Sequence, residues 1–120
     1  MKLVLVLLTC LTVVLPPQAV KRIVDGDTFV LHNGDDISGE VWVRVAGIDV
    51  RETRDSVWYA ARDSAGAWLA RGSFTIRACR RDSFGRLLAW VSRPDGDSLH
   101  IFLLRHRLVL RAPVERGPPS

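Results

Sequence analysis

The feature that most constrains the fold of this chain is the pentapeptide Val-Trp-Val-Arg-Val at residues 41–45. Its period-two alternation predicts a half-buried β-strand. Segments 20–30, 74–79 and 87–91 are rich in β-branched or apolar residues and are bounded by turn residues, so they are predicted as strands too. Asp-Gly-Asp at 25–27 interrupts the first of these segments. This interruption predicts two strand segments that meet at a kink or bulge.

Two helices are predicted around the later strands. Segment 56–71 is amphipathic, and Gly72 follows it as a stop. Its apolar stripe comprises Val57, Ala61, Ala65, Trp68 and Leu69. A second helix is predicted from Leu99 to about Val109, with Ser98 or Asp97 as its cap. Four or five strands with one inserted helix and one C-terminal helix predict a mainly β protein, a five-stranded Greek-key barrel of the oligonucleotide-binding (OB-fold) type.

The N-terminus reads differently from the rest of the chain. Lys2 precedes an apolar run over residues 3–15, which two prolines and the small residue Ala19 follow. This layout predicts a secretory signal peptide over residues 1–19. The run is short for a bilayer span, and no second stretch of spanning length follows it. The alternative is an uncleaved N-terminal anchor or a buried strand.

These boundaries leave one domain over residues 20–110 and a loose tail over residues 111–120. We therefore expect a secreted or periplasmic protein that is monomeric and has no stable membrane association after signal cleavage. The 120-residue chain carries a formal net charge of +4, and removal of Lys2 would leave +3. The protein stays basic in either form, which suits an anionic partner.

The cysteines and histidines carry no predicted chemistry. Cys10 lies in the predicted leader, so Cys79 is expected to have no intramolecular partner and to be a small buried strand residue. The three histidines are scattered at spacings that fit no zinc site.

Three acidic residues stand where predicted strands end. Asp27 follows the first interruption, Asp49 ends the strand that begins at Val41, and Glu52 lies in the next loop. Carboxylate oxygens from the two aspartates, with a backbone carbonyl and waters, suit calcium or magnesium rather than zinc. The alternative is that these are ordinary turn aspartates.

Two arginines favour a site over ordinary turns. Arg44 lies inside the apolar strand, and Arg86 opens the strand after Phe84-Gly85. A phosphodiester that is attacked by water gathers negative charge on oxygens that guanidinium groups bind bidentately. Two arginines, a metal ion and a carboxylate base form a complete set for hydrolysis.

The same segments resemble the staphylococcal nuclease-like (thermonuclease) domain family. The matching strings are Val-Asp-Gly-Asp-Thr-Phe at 24–29, Val-Arg-Val-Ala-Gly-Ile-Asp at 43–49 with Glu52 three residues on, and Asp-Ser-Phe-Gly-Arg-Leu-Leu-Ala at 82–89. They occur in the family's order and with similar gaps, over about residues 20–110. Three ordered strings are far more specific than one alone.

The resemblance implies an OB-fold barrel, a bound calcium ion, and endonucleolytic cleavage of DNA, RNA or both. By position, it assigns metal binding to Asp27, Asp49 and the carbonyl of Val50, phosphate binding to Arg44 and Arg86, the general base to Glu52, and support to Asp25 and Thr28. The chain departs from the family at Arg51, where proline is usual, and at Arg107, where glycine is usual. Arg51 is expected to loosen the loop of Glu52 and, if the two side chains meet, to lower the pKa of that carboxylate.

A second function class stays open at this point. A non-catalytic nucleic-acid-binding module could use the same barrel, with Trp42 or Trp90 stacking on bases. A binding module needs basic charge but has no use for a carboxylate base beside a metal ion. The joint presence of Arg44, Glu52 and Arg86 therefore favours an enzyme.

Overall fold

The computed structural model describes residues 10–33 and 39–112. Within these ranges the strands are β1 (Leu11–Leu15), β2 (Val20–Asp25), β3 (Thr28–Leu31), β4 (Val41–Val45), β5 (Ile48–Asp49), β6 (Phe74–Arg81), β7 (Leu87–Ser92) and β8 (Leu110–Arg111). The helices are α1 (Ser56–Ala70) and α2 (Leu99–Arg105), and a short 3-10 helix, Pro17–Ala19, joins β1 to β2. The first nine residues of the predicted leader and residues 113–120 of the predicted tail lie outside the described ranges.

The strands form a mixed sheet rather than the predicted five-stranded barrel. Its six strands run in the order β1-β6-β7-β4-β3-β2, and β5 pairs separately with β8. The β4–β7 pair is parallel, and the other pairs are antiparallel. The prediction of a mainly β protein with two helices is confirmed. Barrel closure is not, because β1 and β2 are the two edges of the sheet and the described strands include no pair between them.

The Asp-Gly-Asp interruption is a hairpin turn, so the predicted kink or bulge between two successive segments was wrong in kind. β2 and β3 pair antiparallel, with Asp25 opposite Thr28. A period-two pattern is the same whether two segments continue in line or fold back on each other, so the pattern alone does not distinguish these arrangements. Register shifts do occur within β2, between Val20 and Arg22 and between Ile23 and Asp25.

The last five residues of the apolar run predicted as part of a leader, Leu11–Leu15, form the edge strand β1. Leu11–Leu15 pairs antiparallel with β6, and the alternate residues Leu11, Val13 and Leu15 pack against the hydrophobic core. Cys10 forms a disulfide with Cys79. With residues 10–19 present, the expectation that Cys79 has no partner is therefore wrong. Cleavage of the leader stays a prediction.

Helix α1 closes one side of the core. It begins at Ser56, as predicted, and Asp55 caps it by accepting hydrogen bonds from two backbone amides of the first turn. Its buried residues are Trp58, Ala61, Ala65, Trp68 and Leu69. The buried face therefore has Trp58 in place of the predicted Val57. The helix packs against β2, which fixes the hairpin that follows.

Helix α2 is shorter than predicted and ends at Arg105. Ser98 precedes the helix, but its side chain makes no capping hydrogen bond. The backbone leaves the helix because Arg107 adopts a φ of 58°, with the amide of Leu108 bonded to the carbonyl of Leu103. Val109 is consequently buried outside the helix. No helix in the described part of the chain has the length and apolar character needed to cross a membrane.

Candidate active site

Four of the predicted site residues line one open cleft. Asp27 lies in the β2–β3 turn and Asp49 at the end of β5, and Val50 and Glu52 lie in the loop between β5 and α1. The cleft is also lined by Arg51, Thr53 and Leu110. Strand ends and the loop leading to a helix thus bring together groups that are up to 25 positions apart in the chain.

Arg44 links the two aspartates at the base of this cleft. Its Nη1 atom donates hydrogen bonds to the carbonyls of Val45 and Ile48, each at 2.7 Å. The same atom lies 3.3 Å from Oδ2 of Asp27, and Nη2 donates to Oδ1 of Asp49. The Arg44 side chain is only 14% exposed. The backbone carbonyls therefore fix the guanidinium plane, and its charge holds the two carboxylates close to each other.

Asp27 is the more buried carboxylate, at 5% exposure. Its Oδ1 accepts a hydrogen bond of 2.7 Å from the Thr28 hydroxyl, and its Oδ2 accepts one of 3.0 Å from the amide of Val50. The amide of Asp27 donates to the side chain of Asp25. Burial and, to a smaller extent, hydrogen bonding to Asp25 together raise the pKa of Asp27 to about 6, while the charge of Arg44 opposes the rise. Asp25 and Thr28 thus hold this carboxyl in position.

Gly26 allows α1 to approach the turn that carries Asp27. A Cβ atom at Gly26 would lie 2.8 Å from Cβ of Ala61 and 3.3 Å from Cγ1 of Val50. The first distance is shorter than carbon atoms tolerate without movement of the backbone. The absence of a side chain at this position therefore sets the spacing between the helix, the turn and the loop that bears Glu52.

Glu52 is exposed at the cleft, which the neighbouring Arg51 also lines. Nη2 of Arg51 lies 3.1 Å from Oδ2 of Asp55, the N-cap of α1. Asp55 also accepts from the amides of Val57 and Trp58. Arg51 thus pairs with the helix cap. Its expected effect on the Glu52 carboxylate depended on contact between the side chains of Arg51 and Glu52, and the observed contact of Arg51 is with Asp55 instead.

Arg86 is held by the turn between β6 and β7. Its Nε atom donates to Oδ2 of Asp82 at 2.6 Å, and its backbone amide donates to Oδ1 of the same residue. The guanidinium carbon lies 5.2 Å from the centre of the Phe84 ring, which is 82% exposed. Sequence reasoning missed Phe84 and Asp82 as site residues. An aromatic residue inside a polar turn was the signal that could have identified Phe84.

Arg86 directly precedes β7, the strand that pairs with the strand of Arg44. In the parallel β4–β7 pair, Leu88 lies beside Arg44, and Arg86 is two residues before Leu88. Arg86 lines a second cleft together with Phe84 and Trp42. The structure therefore groups Arg44 directly with both aspartates and places Arg86 one strand away.

The two tryptophans considered as stacking platforms contact other residues of the protein. Nε1 of Trp42 donates to Glu40, and the guanidinium of Arg22 lies over its ring. The Trp90 ring packs edge-on against His100 at 4.8 Å. Among these aromatic side chains, Phe84 presents the most open surface.

The donor set of the first cleft determines which metal ions it suits. The described residues contain no group of three or more His, Cys, Asp or Glu side chains placed to hold an ion. Asp27 and Asp49 provide two hard oxygen donors, and Asp49 reaches solvent with 44% of its side chain exposed. Two carboxylates supplemented by carbonyl oxygens and water fit calcium or magnesium, whereas a structural zinc site requires four protein ligands.

Similarity to known proteins gives one indication of the reaction. No protein-family model matches the chain. Over 86 residues the chain is 30% identical to a protein named "Uncharacterized endonuclease" from Escherichia coli O157:H7 and equally to one of that name from Escherichia coli. The match covers 72% of this chain and 54% of each relative, so the chain spans about half the length of the curated relatives it matches. Across most of its length, the chain is therefore similar to proteins named as endonucleases.

Proposed function

We propose that this protein is a calcium-dependent endonuclease that hydrolyses phosphodiester bonds in DNA, RNA or both. The observation that carries the proposal is the position of Arg44, which is fixed between Asp27 and Asp49 at a cleft that Glu52 also lines. Similarity to proteins named as endonucleases and resemblance to the staphylococcal nuclease-like family support the same reaction.

Arg44 and Arg86 are proposed to bind the phosphate. Each guanidinium is oriented by hydrogen bonds to the protein before any substrate arrives. A phosphodiester under attack gathers negative charge on its equatorial oxygens, and guanidinium donors stabilise that charge. Phe84, beside Arg86, offers an open ring for an adjacent base.

Glu52 is proposed as the general base. Its exposed position at the cleft gives it access to a water molecule. The carboxylate accepts a proton as the water oxygen bonds to phosphorus, and the opposite phosphorus–oxygen bond breaks. The leaving oxygen takes up a proton from solvent water, so a phosphomonoester and a free hydroxyl are the products. A base positioned in this way accelerates hydrolysis by roughly two to four orders of magnitude.

Asp27, Asp49 and the carbonyl of Val50 would hold the calcium ion. When bound, the ion supplies positive charge that neutralises the carboxylates and polarises the phosphate. Burial raises the pKa of Asp27 in the absence of an ion. A bound cation would oppose this rise, because nearby positive charge favours the ionised carboxylate. Release of the Asp49 carboxylate from Arg44 would free both groups for their ligands.

An exported location is part of the proposal. Disulfides such as Cys10–Cys79 form and persist in oxidising compartments such as the periplasm or the exterior of the cell. The bond supports export only for a chain that retains Cys10, because cleavage after Ala19 would remove that residue.

The test is hydrolysis of plasmid DNA and of single-stranded DNA and RNA by the purified chain, with calcium, with magnesium or with excess chelator. We expect cleavage that calcium supports best and that chelator abolishes. Unchanged hydrolysis in chelator would contradict the metal assignment. Tight binding without cleavage under every condition would replace the enzyme with a nucleic-acid-binding module.

A further inference from the structure

A second cationic surface adjoins the proposed active site on the N-terminal half of α1. It consists of Arg54, Trp58, Tyr59 and Arg62, hereafter the α1 patch. The guanidinium of Arg54 lies 4.7 Å from the centre of the Trp58 ring, and that of Arg62 lies 5.8 Å from the same ring and 5.1 Å from Tyr59. The two aromatic rings meet edge to face at 4.9 Å. Two positive charges and two rings therefore form one compact unit.

The indole of Trp58 anchors this unit. Trp58 is a buried apolar residue, 6% exposed, and the guanidiniums of Arg54 and Arg62 lie over its ring. The two arginines are therefore held at the surface by a ring that is itself buried.

The charges of the patch are available to a ligand. Within the described part of the chain, the contact recorded for Arg54 is with the Trp58 ring, and no carboxylate is paired with it. Arg62 lies 3.4 Å from Asp63, whose side chain is 71% exposed, and such surface pairs are weak. Tyr59 is 44% exposed, so part of its ring is open.

The patch begins next to the cleft in the chain. Arg54 follows Thr53, which lines the cleft together with Glu52 and Asp27. Within α1, Ala61 lies against the turn that presents Asp27, and Arg62 is its neighbour in the chain. These two links to the cleft are the basis for a path from the cleft to the patch.

We propose that the α1 patch binds the single strand of nucleic acid that flanks the scissile bond. This inference rests on the proposed function, and it adds that the preferred substrate is unpaired beside the cleavage site. Guanidiniums held on an aromatic ring bind phosphates of the backbone, and the exposed part of Tyr59 stacks on a base. A base offers its face to such a ring only when it is not paired and stacked within a duplex, which gives the preference for single strands.

The first test is binding of a fluorescent thymidine oligonucleotide in the presence of chelator, where no cleavage is expected. Arg54→Gln with Arg62→Gln removes two phosphate contacts and should raise Kd roughly tenfold while lowering the salt slope by about 1.4. Arg105→Gln removes an exposed charge from α2 and serves as the control. If the double variant binds as the control does, the proposal is wrong. Circular dichroism confirms that each variant is folded.

The second test separates stacking from charge. Tyr59→Ala should weaken binding of the single strand roughly tenfold, the usual worth of one stacked base, and should leave binding of a duplex unchanged. Equal losses for single strand and duplex would contradict the preference for unpaired substrate. Because both tests measure binding in chelator, failure of the chain to cleave DNA would not by itself alter their outcome.

Discussion

The side chain of Glu52 is the most direct test of catalysis at the scale of single residues. Among the described residues, its side chain has no hydrogen-bond or ion-pair partner, so replacement should change the chemistry and leave the fold intact. We expect Glu52→Gln to lower turnover by roughly two to four orders of magnitude, the usual worth of a positioned base, with nearly unchanged affinity for nucleic acid. Single-turnover hydrolysis together with binding in chelator measures both quantities. A variant with wild-type turnover would remove Glu52 from the mechanism.

Arg86 and Phe84 share one turn but should affect different kinetic constants. Arg86→Ala removes a donor to the charge that develops in the transition state, and we expect turnover to fall by roughly two to three orders of magnitude. Phe84→Ala leaves the pairing of Arg86 with Asp82 in place. It should therefore raise KM and leave kcat nearly unchanged. Steady-state kinetics on one DNA substrate compares the two, and equal kcat values for both variants would contradict this division.

Contact between elements determines the geometry of the site at the next scale. Gly26→Ala would push the β2–β3 turn away from α1, since the new Cβ atom would lie 2.8 Å from that of Ala61. We expect a loss of about 1–3 kcal/mol in the free energy of unfolding and a fall in turnover, because the turn carries Asp27. Urea denaturation and hydrolysis assays measure these effects.

A compensating change tests the cause. Ala61→Gly removes the atom that Gly26→Ala would strike, so the double variant should recover part of the lost turnover. Its stability should stay below wild type, because a glycine inside a helix costs about 1 kcal/mol. Absence of any recovery would show that the two positions are not coupled through this contact.

The backbone after α2 is strained at Arg107, one of the positions at which the chain departs from the family that it resembles. Arg107 stands where the staphylococcal nuclease-like family usually has glycine, and its φ is 58°, a left-handed value that glycine adopts readily. We expect Arg107→Gly to raise the free energy of unfolding by about 1 kcal/mol, as measured by thermal or urea denaturation. Arg105→Gly is the matched control, since it removes the same charge inside the helix and should lower stability by about 1 kcal/mol. A loss of stability in both variants would contradict the strain.

At the scale of the whole molecule, the disulfide joins the first described residue, Cys10, to strand β6. Cys10 and Cys79 are 69 positions apart, and closing a loop of that length stabilises a fold by about 4 kcal/mol in the chain-entropy account. We expect Cys79→Ser to lower the free energy of unfolding by roughly 2–4 kcal/mol under oxidising conditions. Reductant should destabilise the wild type to a similar extent and should not affect the variant.

The intact mass of the exported protein shows whether the chain used in that experiment retains Cys10. A chain cleaved after Ala19 lacks both Cys10 and β1, and in that form Cys79→Ser should have little effect on stability. A chain that retains Cys10 and is nevertheless unaffected by Cys79→Ser would contradict the stabilising role of the disulfide.

Local patterns in the sequence determined the strand β4, the start of helix α1 and the residue types of the site. Each of these follows from neighbouring residues: alternation over 41–45, the amphipathic segment that begins at residue 56, and carboxylates where strands end. The sequence did not determine that the Asp-Gly-Asp turn makes a hairpin, that Leu11–Leu15 joins the sheet, or that Cys10 reaches Cys79.

The chemistry of the site divides in the same way. The sequence by itself singled out Asp27, Arg44 and Asp49 as residue types suited to phosphate and metal. Only the tertiary structure decided that one guanidinium joins both carboxylates, that Arg51 pairs with the helix cap, and that an arginine and aromatic patch lies beside the cleft. The physical reason is that a side chain's propensity is local, whereas its partner is set by strand register and helix packing, which bring residues distant in the chain within hydrogen-bonding distance.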